Sequence, residues 1–98
     1  MTMDIRWVDP RDLRVPSSRG QGADPVKLSR QIARFGSGMD SMPAIITYEG
    51  LDGILVIYDG VTRATRIAKL APAALVKVEV IGKLKRSHAN DPSIGGLI

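Results

Sequence analysis

The sequence predicts a small α+β domain in which two main helices accompany a small mixed β-sheet. Three observations support this prediction: a capped amphipathic segment that begins at residue 24, two apolar runs joined by a glycine-containing loop at residues 49–53, and clean apolar–polar alternation over residues 75–81. The resulting order of elements is strand, helix, strand, strand, helix, strand, which is typical of an α+β domain.

Length and composition bound the size of this domain. The 98 residues suffice for one modest core and not for two. With 44% hydrophobic and 24% charged residues the chain is expected to fold, and with 4% aromatic residues its core must consist of Ile, Leu, Val and Ala. We expect the domain to span residues 1–82 and an extension, basic and then apolar, to occupy residues 83–98.

The residue inventory excludes several classes of function. The chain has no cysteine, which excludes disulfides, thiolate catalysis and cysteine-ligated metals. Its only histidine, His88, rules out a two-histidine zinc site and leaves a Ser-His-Asp triad dependent on one residue of a polar tail. No apolar run approaches the ~20 residues of a membrane helix, and the N-terminus lacks the apolar stretch of a secretory signal. We therefore expect a cytoplasmic protein with no membrane partner.

A net charge of +4 favours an anionic partner only weakly, because the basic residues are spread from Arg6 to Arg86.

The first strand is predicted at residues 5–8, and Asp9-Pro10 ends it. Residues 17–23 form a loop of small polar residues that contains Arg19. This loop is either a plain linker or a segment that folds over a ligand.

The first helix is predicted from its ends. Asp24 is a suitable N-cap, Pro25 fits the first helical position, and Gly36 matches a C-terminal glycine cap. Helical spacing predicts a buried apolar stripe of Leu28, Ile32 and Phe35. It also predicts a basic face of Lys27, Arg30 and Arg34, which is either solvated or in contact with a ligand.

The second half of the chain predicts a hairpin, a helix and a final strand. The strand at residues 54–58 is continuously apolar, which is typical of a strand covered on both faces and hence central in its sheet. In the helix at residues 60–70, the core-facing residues are predicted to be Val61, Ala64, Ile67 or Ala68, and Ala71. The residues predicted to point outward are Arg63, Arg66 and Lys69. The tail is expected to be loosely held unless a partner receives Ile94, Leu97 and Ile98.

The junction of strand and helix is the strongest candidate site. Asp59 is a plausible cap for the helix, Gly60 permits a tight turn, and Thr62 and Arg63 fall in the first helical turn. Free N–H groups, the helix dipole and a guanidinium would then converge on one spot, which suits a phosphate. The alternative is an ordinary strand-to-helix turn with a solvated Arg63.

Three motifs give the chain a family resemblance. They are Pro10-Arg11-Asp12-Leu13 with Pro16; Asp24-Pro25-Val26-Lys27-Leu28 followed by Phe35-Gly36 and Pro43-Ala44-Ile45-Ile46; and Asp59-Gly60-Val61-Thr62-Arg63 followed by Ala68-Lys69-Leu70. In this order they resemble the N-terminal domain of the ParB/sulfiredoxin superfamily, including ParB-like nuclease domains, over residues 9–81. The resemblance implies a nucleotide or phosphate pocket in which Gly60 and Arg63 contact phosphate. It also implies phosphate contacts by the basic face, Lys27, Arg30 and Arg34.

The chain also departs from these families. The catalytic cysteine and histidine of sulfiredoxin fall at Val61 and Thr62, which excludes sulfinate repair. ParB's Gly-Glu-Arg-Arg is replaced by residues 60–63, Gly-Val-Thr-Arg. ParB also uses a following helical domain for nucleotide hydrolysis and DNA recognition, so we do not expect a complete CTP-hydrolysing clamp. The aspartates of the chain are not spaced as an evident metal cluster, which argues against a nuclease.

Three functional hypotheses follow. The first is a nucleotide- or phosphate-binding module with little or no catalysis. It would hold a nucleoside triphosphate, with or without Mg²⁺, or a nucleic-acid phosphate through Lys27, Arg30, Arg34, Gly60, Thr62 and Arg63, with Arg19 closing from its loop. The second is a nucleotide hydrolase or phosphotransferase in which Asp59 or Asp24 orients the nucleophile or magnesium. The third is an interaction module of a mobile-element or toxin–immunity locus, with a vestigial pocket and a C-terminal extension that contacts a second copy or another protein.

Overall fold

A four-stranded mixed sheet forms the frame of the protein in the computed structural model, which describes residues 3–98. The strands are β1 (Asp4–Val8), β2 (Ile45–Glu49), β3 (Leu55–Asp59) and β4 (Val76–Lys83). The helices are α1 (Pro25–Phe35), α2 (Val61–Leu70) and the short α3 (Ile94–Leu97), and 3₁₀ turns occupy Pro10–Asp12 and Ser17–Arg19. The predicted α+β class and order of elements are confirmed, with α3 as an addition.

The strand order is β1-β4-β2-β3, so β4 and β2 lie in the middle of the sheet. β4 pairs antiparallel with β1 and parallel with β2, and β2 and β3 form the predicted antiparallel hairpin. The predicted central place of the strand at residues 54–58 is wrong, because β3 lies at the edge. Its outer side is covered instead by Arg14, whose N–H donates to Leu55 O at 2.9 Å and whose carbonyl accepts from Ile57 N–H at 2.9 Å.

The core lies on one face of the sheet, beneath α2. Strand residues Ile45, Ile57, Val76 and Val78 contribute their inner side chains, and α2 contributes Val61, Ala64, Ile67 and Ala68, as predicted. α1 packs mainly on α2. None of its residues is fully buried, and Phe35, predicted to lie in a buried stripe, is half-exposed because it sits at the end of α1.

The ends of α1 form as predicted. The Asp24 carboxylate accepts hydrogen bonds from the backbone N–H groups of Val26 at 2.8 Å and Lys27 at 3.1 Å. Pro25 occupies the first turn, where its missing N–H is not needed. Gly36 ends the helix with φ 55° and ψ −128°, a conformation that favours glycine.

The C-terminal segment is held against the domain, so the prediction of a loosely held tail is wrong. Ile94 is fully buried in the core, and its N–H donates to Leu13 O at 2.9 Å. Val15 N–H donates to Pro92 O at 2.8 Å, and the Arg14 guanidinium donates to the carbonyls of Ala89 and Asp91. Ile94 therefore cannot serve as a contact for a partner while the domain is folded.

His88 belongs to the same packed segment. Its ring is buried, and its Nδ1 lies 2.7 Å from Asp91 Oδ2. The neighbouring Ser87 hydroxyl is bonded to the Asp52 carboxylate, so these residues are not arranged as a catalytic triad. Among residues 3–98, no helix has the length and apolar character needed to cross a membrane.

Candidate functional site

The turn between β3 and α2 depends on glycine. Gly60 is the N-cap of α2 and has φ 116°, in the region that side chains disfavour. A Cβ at this position would lie 3.1 Å from Ile45 Cγ1 and 3.0 Å from Arg63 Nη2. The backbone therefore passes close to the core and to the Arg63 guanidinium, and a larger residue would disturb both.

Asp59 does not cap α2, contrary to the prediction. Because Gly60 occupies the N-cap position, Asp59 is one residue too early and is the last residue of β3. Its carboxylate is exposed, and Oδ2 lies 3.5 Å from Arg63 Nη2. The first turn of α2 therefore begins without a side-chain cap.

Arg63 and Arg66 are both more buried than the sequence predicts. Helical spacing predicts that both point outward, yet the Arg63 side chain is only 19% exposed and Arg66 is only 2% exposed. The Nη1 of Arg66 donates to Gly36 O at 2.7 Å and to Gly38 O at 2.8 Å, and its Nη2 lies 3.3 Å from Met42 Sδ. The cause is tertiary, because the end of α1 and the following loop fold over this side of α2.

A cavity of about 280 Å³ lies between the end of α1, the loop after it and α2. It is lined by Gln31, Phe35, Gly38, Asp40, Ser41, Met42, Pro43, Arg63 and Arg66. Three buried polar atoms of these residues have no hydrogen-bond partner in the described structure: Nε of Arg63, Nε of Arg66 and Oε1 of Gln31. Buried polar groups are normally paired, so these three atoms are unused hydrogen-bonding capacity in the residues that line the cavity.

The charge of the cavity is mainly positive. Arg66 makes no ion pair with any residue from 3 to 98. Within the same residues, Arg63 pairs only with the exposed carboxylate of Asp59. Burial lowers the pKa of the Arg66 guanidinium, but an arginine remains charged at neutral pH. Asp40 is the one acidic residue of the lining.

The ring of Phe35 lies close to two guanidinium groups. The Cζ of Arg34 lies 5.2 Å from the centre of the ring, and the Cζ of Arg66 lies 5.4 Å from it. These distances are within the range of cation–π attraction. The ring therefore links the cavity to the exposed basic face of α1 that carries Arg34.

The predicted site residues do not form one constellation. Arg63 lines the cavity and Gly60 lies against the Arg63 guanidinium, whereas Thr62, also in the first turn, is half-buried and outside the lining. The basic face, Lys27, Arg30 and Arg34, is exposed and does not line the cavity. Arg19 and Lys27 instead border a separate open depression at the start of α1.

The alanine content of α2 is the signal that could have located Arg66. Ala64, Ala68 and Ala71 allow neighbouring segments to approach α2 closely, and the helix is buried on more than one side. A charged residue on such a helix need not face water. In the described residues, no group of three or more histidine, aspartate or glutamate side chains is placed to hold a metal ion.

No protein-family model matches the chain, and a comparison with curated proteins finds no significant match. The chemistry of the cavity is therefore the basis for a functional assignment.

Proposed function

We propose that the protein binds a phosphate-bearing ligand, a nucleotide or a nucleic-acid phosphate, in the cavity between α1 and α2, with little or no catalysis. The observation that carries the proposal is Arg66, a buried guanidinium without an acidic partner in the described structure, beside Arg63. A module of this kind is also what the ParB-like resemblance implies.

The cost of burying charge supports this assignment. Arginine is seldom fully buried unless it is paired, because moving a charge out of water is expensive. Two backbone carbonyls compensate Arg66 in part, and its Nε is left over. An anion would supply the missing charge, and phosphate matches the fork of donors that arginine presents.

The start of α2 adds to the positive potential. The helix has ten residues and no side-chain cap, so its first N–H groups and its dipole favour an anion near Arg63. Arg63 itself, in this first turn, lines the cavity.

The size of the cavity suggests how the ligand sits. At about 280 Å³ it is slightly smaller than the ligand pockets of proteins, which commonly measure roughly 300–1,000 Å³. It suits a phosphate group with the adjoining part of a molecule. The remainder of a nucleotide or nucleic acid would extend past Phe35 toward Arg34.

Thermal unfolding with added ligand tests the proposal. ATP, CTP, GTP, ADP and inorganic phosphate are added with and without Mg²⁺ to the wild type, to Arg63→Ala, and to Lys69→Ala as a control on the exposed end of α2. A ligand at about 100 times its dissociation constant stabilises the native state by about 2.7 kcal/mol. We expect this shift in the wild type and Lys69→Ala, and its loss in Arg63→Ala.

Two results would contradict the proposal: no shift with any phosphate compound, or an undiminished shift in Arg63→Ala. The first result would favour the interaction module with a vestigial pocket. The melting temperature of Arg63→Ala without ligand shows whether the variant folds, since its guanidinium also donates to Ala44 O at 3.3 Å.

A phosphate-transfer enzyme is a second candidate, and the position of Asp59 favours it. The exposed carboxylate lies 3.5 Å from Arg63 Nη2, where it could orient a nucleophile or a magnesium ion next to a bound phosphate. Asp59→Asn should then abolish release of inorganic phosphate and retain the thermal shift. A wild type that binds nucleotide without turnover would exclude this candidate.

A further inference from the structure

The face of the sheet opposite the core carries no helix among the described residues. Because side chains alternate along a strand, the neighbours of the buried core residues point to this side. We name it the open face, and define it by Ile5, Trp7, Ile46, Tyr48, Tyr58, Lys77 and Glu79. The described α helices and the core cluster lie on the other side.

The open face displays aromatic side chains to water. Trp7 is 60% exposed and Tyr58 is 67% exposed, and the ring of Tyr48 packs edge-on against Tyr58 at 5.7 Å. These three residues are the only Trp and Tyr of the chain. Trp7 lies on the edge strand β1, and the two tyrosines lie on β2 and β3 toward the other edge, so exposed aromatic rings stand at both sides of the face. Large exposed aromatic residues are typical of a binding surface.

The middle of the open face carries one charge of each sign. Lys77 and Glu79 are successive open-face residues of β4, about 7 Å apart along the strand. Neither forms an ion pair within the described part of the chain, residues 3–98. Since β4 lies between β1 and β2, both charges are near the centre of the face.

We propose that two copies of the protein associate open face to open face about a twofold axis. The axis lies between the two sheets, runs across the strands, and passes over Val78 of β4. This axis places Lys77 of each copy opposite Glu79 of the other, so two ion pairs form from one self-complementary strand. It also places Trp7 over Ile5 of the other copy, because these residues pair with Lys77 and Glu79 across β1 and β4. The product is a two-layer sandwich with sheets about 10 Å apart.

The size of the face sets the expected strength. Four strands of about five residues cover roughly 300 Å² in plan, using typical strand spacing and rise. Standard stable interfaces bury about 800 Å² per partner. The dimer is therefore expected to be weak and to depend on protein concentration.

Sedimentation velocity over a concentration series tests the dimer with charge reversal. The wild type should rise from 10.6 kDa toward twice that mass as concentration increases. Lys77→Glu places like charges opposite each other, as does Glu79→Lys, so each variant alone should dimerise at least about tenfold more weakly. The double variant restores opposite charges and should recover the wild-type behaviour.

An equimolar mixture of the two single variants is the most specific test of the Lys77–Glu79 pairing. In the mixed pair, the glutamate introduced at position 77 of one chain meets the lysine introduced at position 79 of the other. The native Glu79 of the first chain likewise meets the native Lys77 of the second. The mixture should therefore form heterodimers although neither component self-associates. Lys69→Glu on α2 is the control, because it lies outside the open face and should leave association unchanged.

A wild type that stays monomeric at every concentration would overturn the proposal, whatever else it binds. Equal dimerisation of the wild type and both single variants would overturn the Lys77–Glu79 pairing and its twofold axis. Both residues are on the solvent side of β4, so circular dichroism of the variants should match that of the wild type. The test is independent of the phosphate cavity.

Discussion

α1 and α2 have nearly the same length and are held in place in opposite ways. α1 has 11 residues, a side-chain cap at its start, a glycine at its end and no fully buried residue. α2 has 10 residues and no side-chain cap, and six of its residues are buried. The first helix is specified mainly by local signals, and the second mainly by its tertiary packing.

The cavity lies where these two kinds of helix meet. α1, which has no fully buried residue, contributes Gln31 and Phe35 to the lining. α2, which is largely buried, contributes Arg63 and Arg66. The guanidinium of Arg66 joins them by binding the carbonyls of Gly36 and Gly38 just beyond α1. Substitutions matched between the two helices can test how far this contrast extends.

The largest expected difference concerns isoleucine truncation. Ile67→Ala in α2 removes a fully buried side chain from the core and should lower the free energy of unfolding by about 2–5 kcal/mol. Ile32→Ala in α1 removes a half-buried side chain and should cost about 1 kcal/mol. Urea unfolding of both variants measures the difference, and equal losses would show that the helices are held alike.

The next largest difference in the free energy of unfolding is expected between arginine substitutions in the two helices. Arg66→Met keeps an apolar chain of similar length but leaves the carbonyls of Gly36 and Gly38 without their donor, so we expect a loss of about 2 kcal/mol. Arg30→Met on exposed α1 should stay within about 0.5 kcal/mol. A neutral or stabilising Arg66→Met would mean that the guanidinium does not anchor the loop. Such a result would leave ligand binding as its role.

A smaller loss is expected at the end of α1. Gly36→Ala forces a side chain into φ 55° and ψ −128°, and should cost about 1–2 kcal/mol. Gly20→Ala is the matched control, because Gly20 has φ −59° and should tolerate alanine within about 0.5 kcal/mol. Thermal unfolding distinguishes the two, and an equal effect would show that the backbone angle of Gly36 is not constraining.

The smallest effect concerns the cap of α1 and is pH-dependent. Hydrogen bonds from the N–H groups of Lys27 and Val26 lower the pKa of Asp24 in the folded state. The carboxylate therefore stabilises the fold above its unfolded pKa of about 3.9, and this contribution is lost as pH falls through the lower folded value. Asp24→Ala should lower the melting temperature at neutral pH, and the difference from wild type should shrink below about pH 4.

The matched control for the cap is Asp59→Ala, because Asp59 caps no helix. It should change the melting temperature less than Asp24→Ala does at neutral pH. A difference for Asp24→Ala that stayed constant down to about pH 2 would contradict the role of its charge.

Features that depend only on residues close together in the sequence could be predicted from it. Asp24, Pro25 and Gly36 fix the ends of α1 through their own backbone preferences and hydrogen bonds, so the predicted and observed ends agree. The hairpin and the alternation in β4 likewise follow from short-range pattern and loop length. The cavity could be predicted only in part, through Arg63.

The remaining features depend on contacts between distant segments. The apolar pattern of β3 does not depend on whether its outer neighbour is a full strand or the single residue Arg14. The sequence of β3 therefore could not show that it lies at the edge of the sheet. Helical phase alone cannot show that a loop covers Arg66. Ile94 begins a helix of four residues, which is too short for any periodicity, and its burial could not be read from the pattern.

The segment around Arg14 pairs with β3 on one side and with Ser93 in the C-terminal segment on the other. Its partners are synthesised long after it, so these pairings require large loops to close and are expected to form late and slowly. During translation the core lacks Ile94 until that residue has left the ribosome. A nascent chain arrested before that residue would lack the Ile94 N–H that donates to Leu13 O, and we expect its incomplete core to expose apolar surface that chaperones recognise.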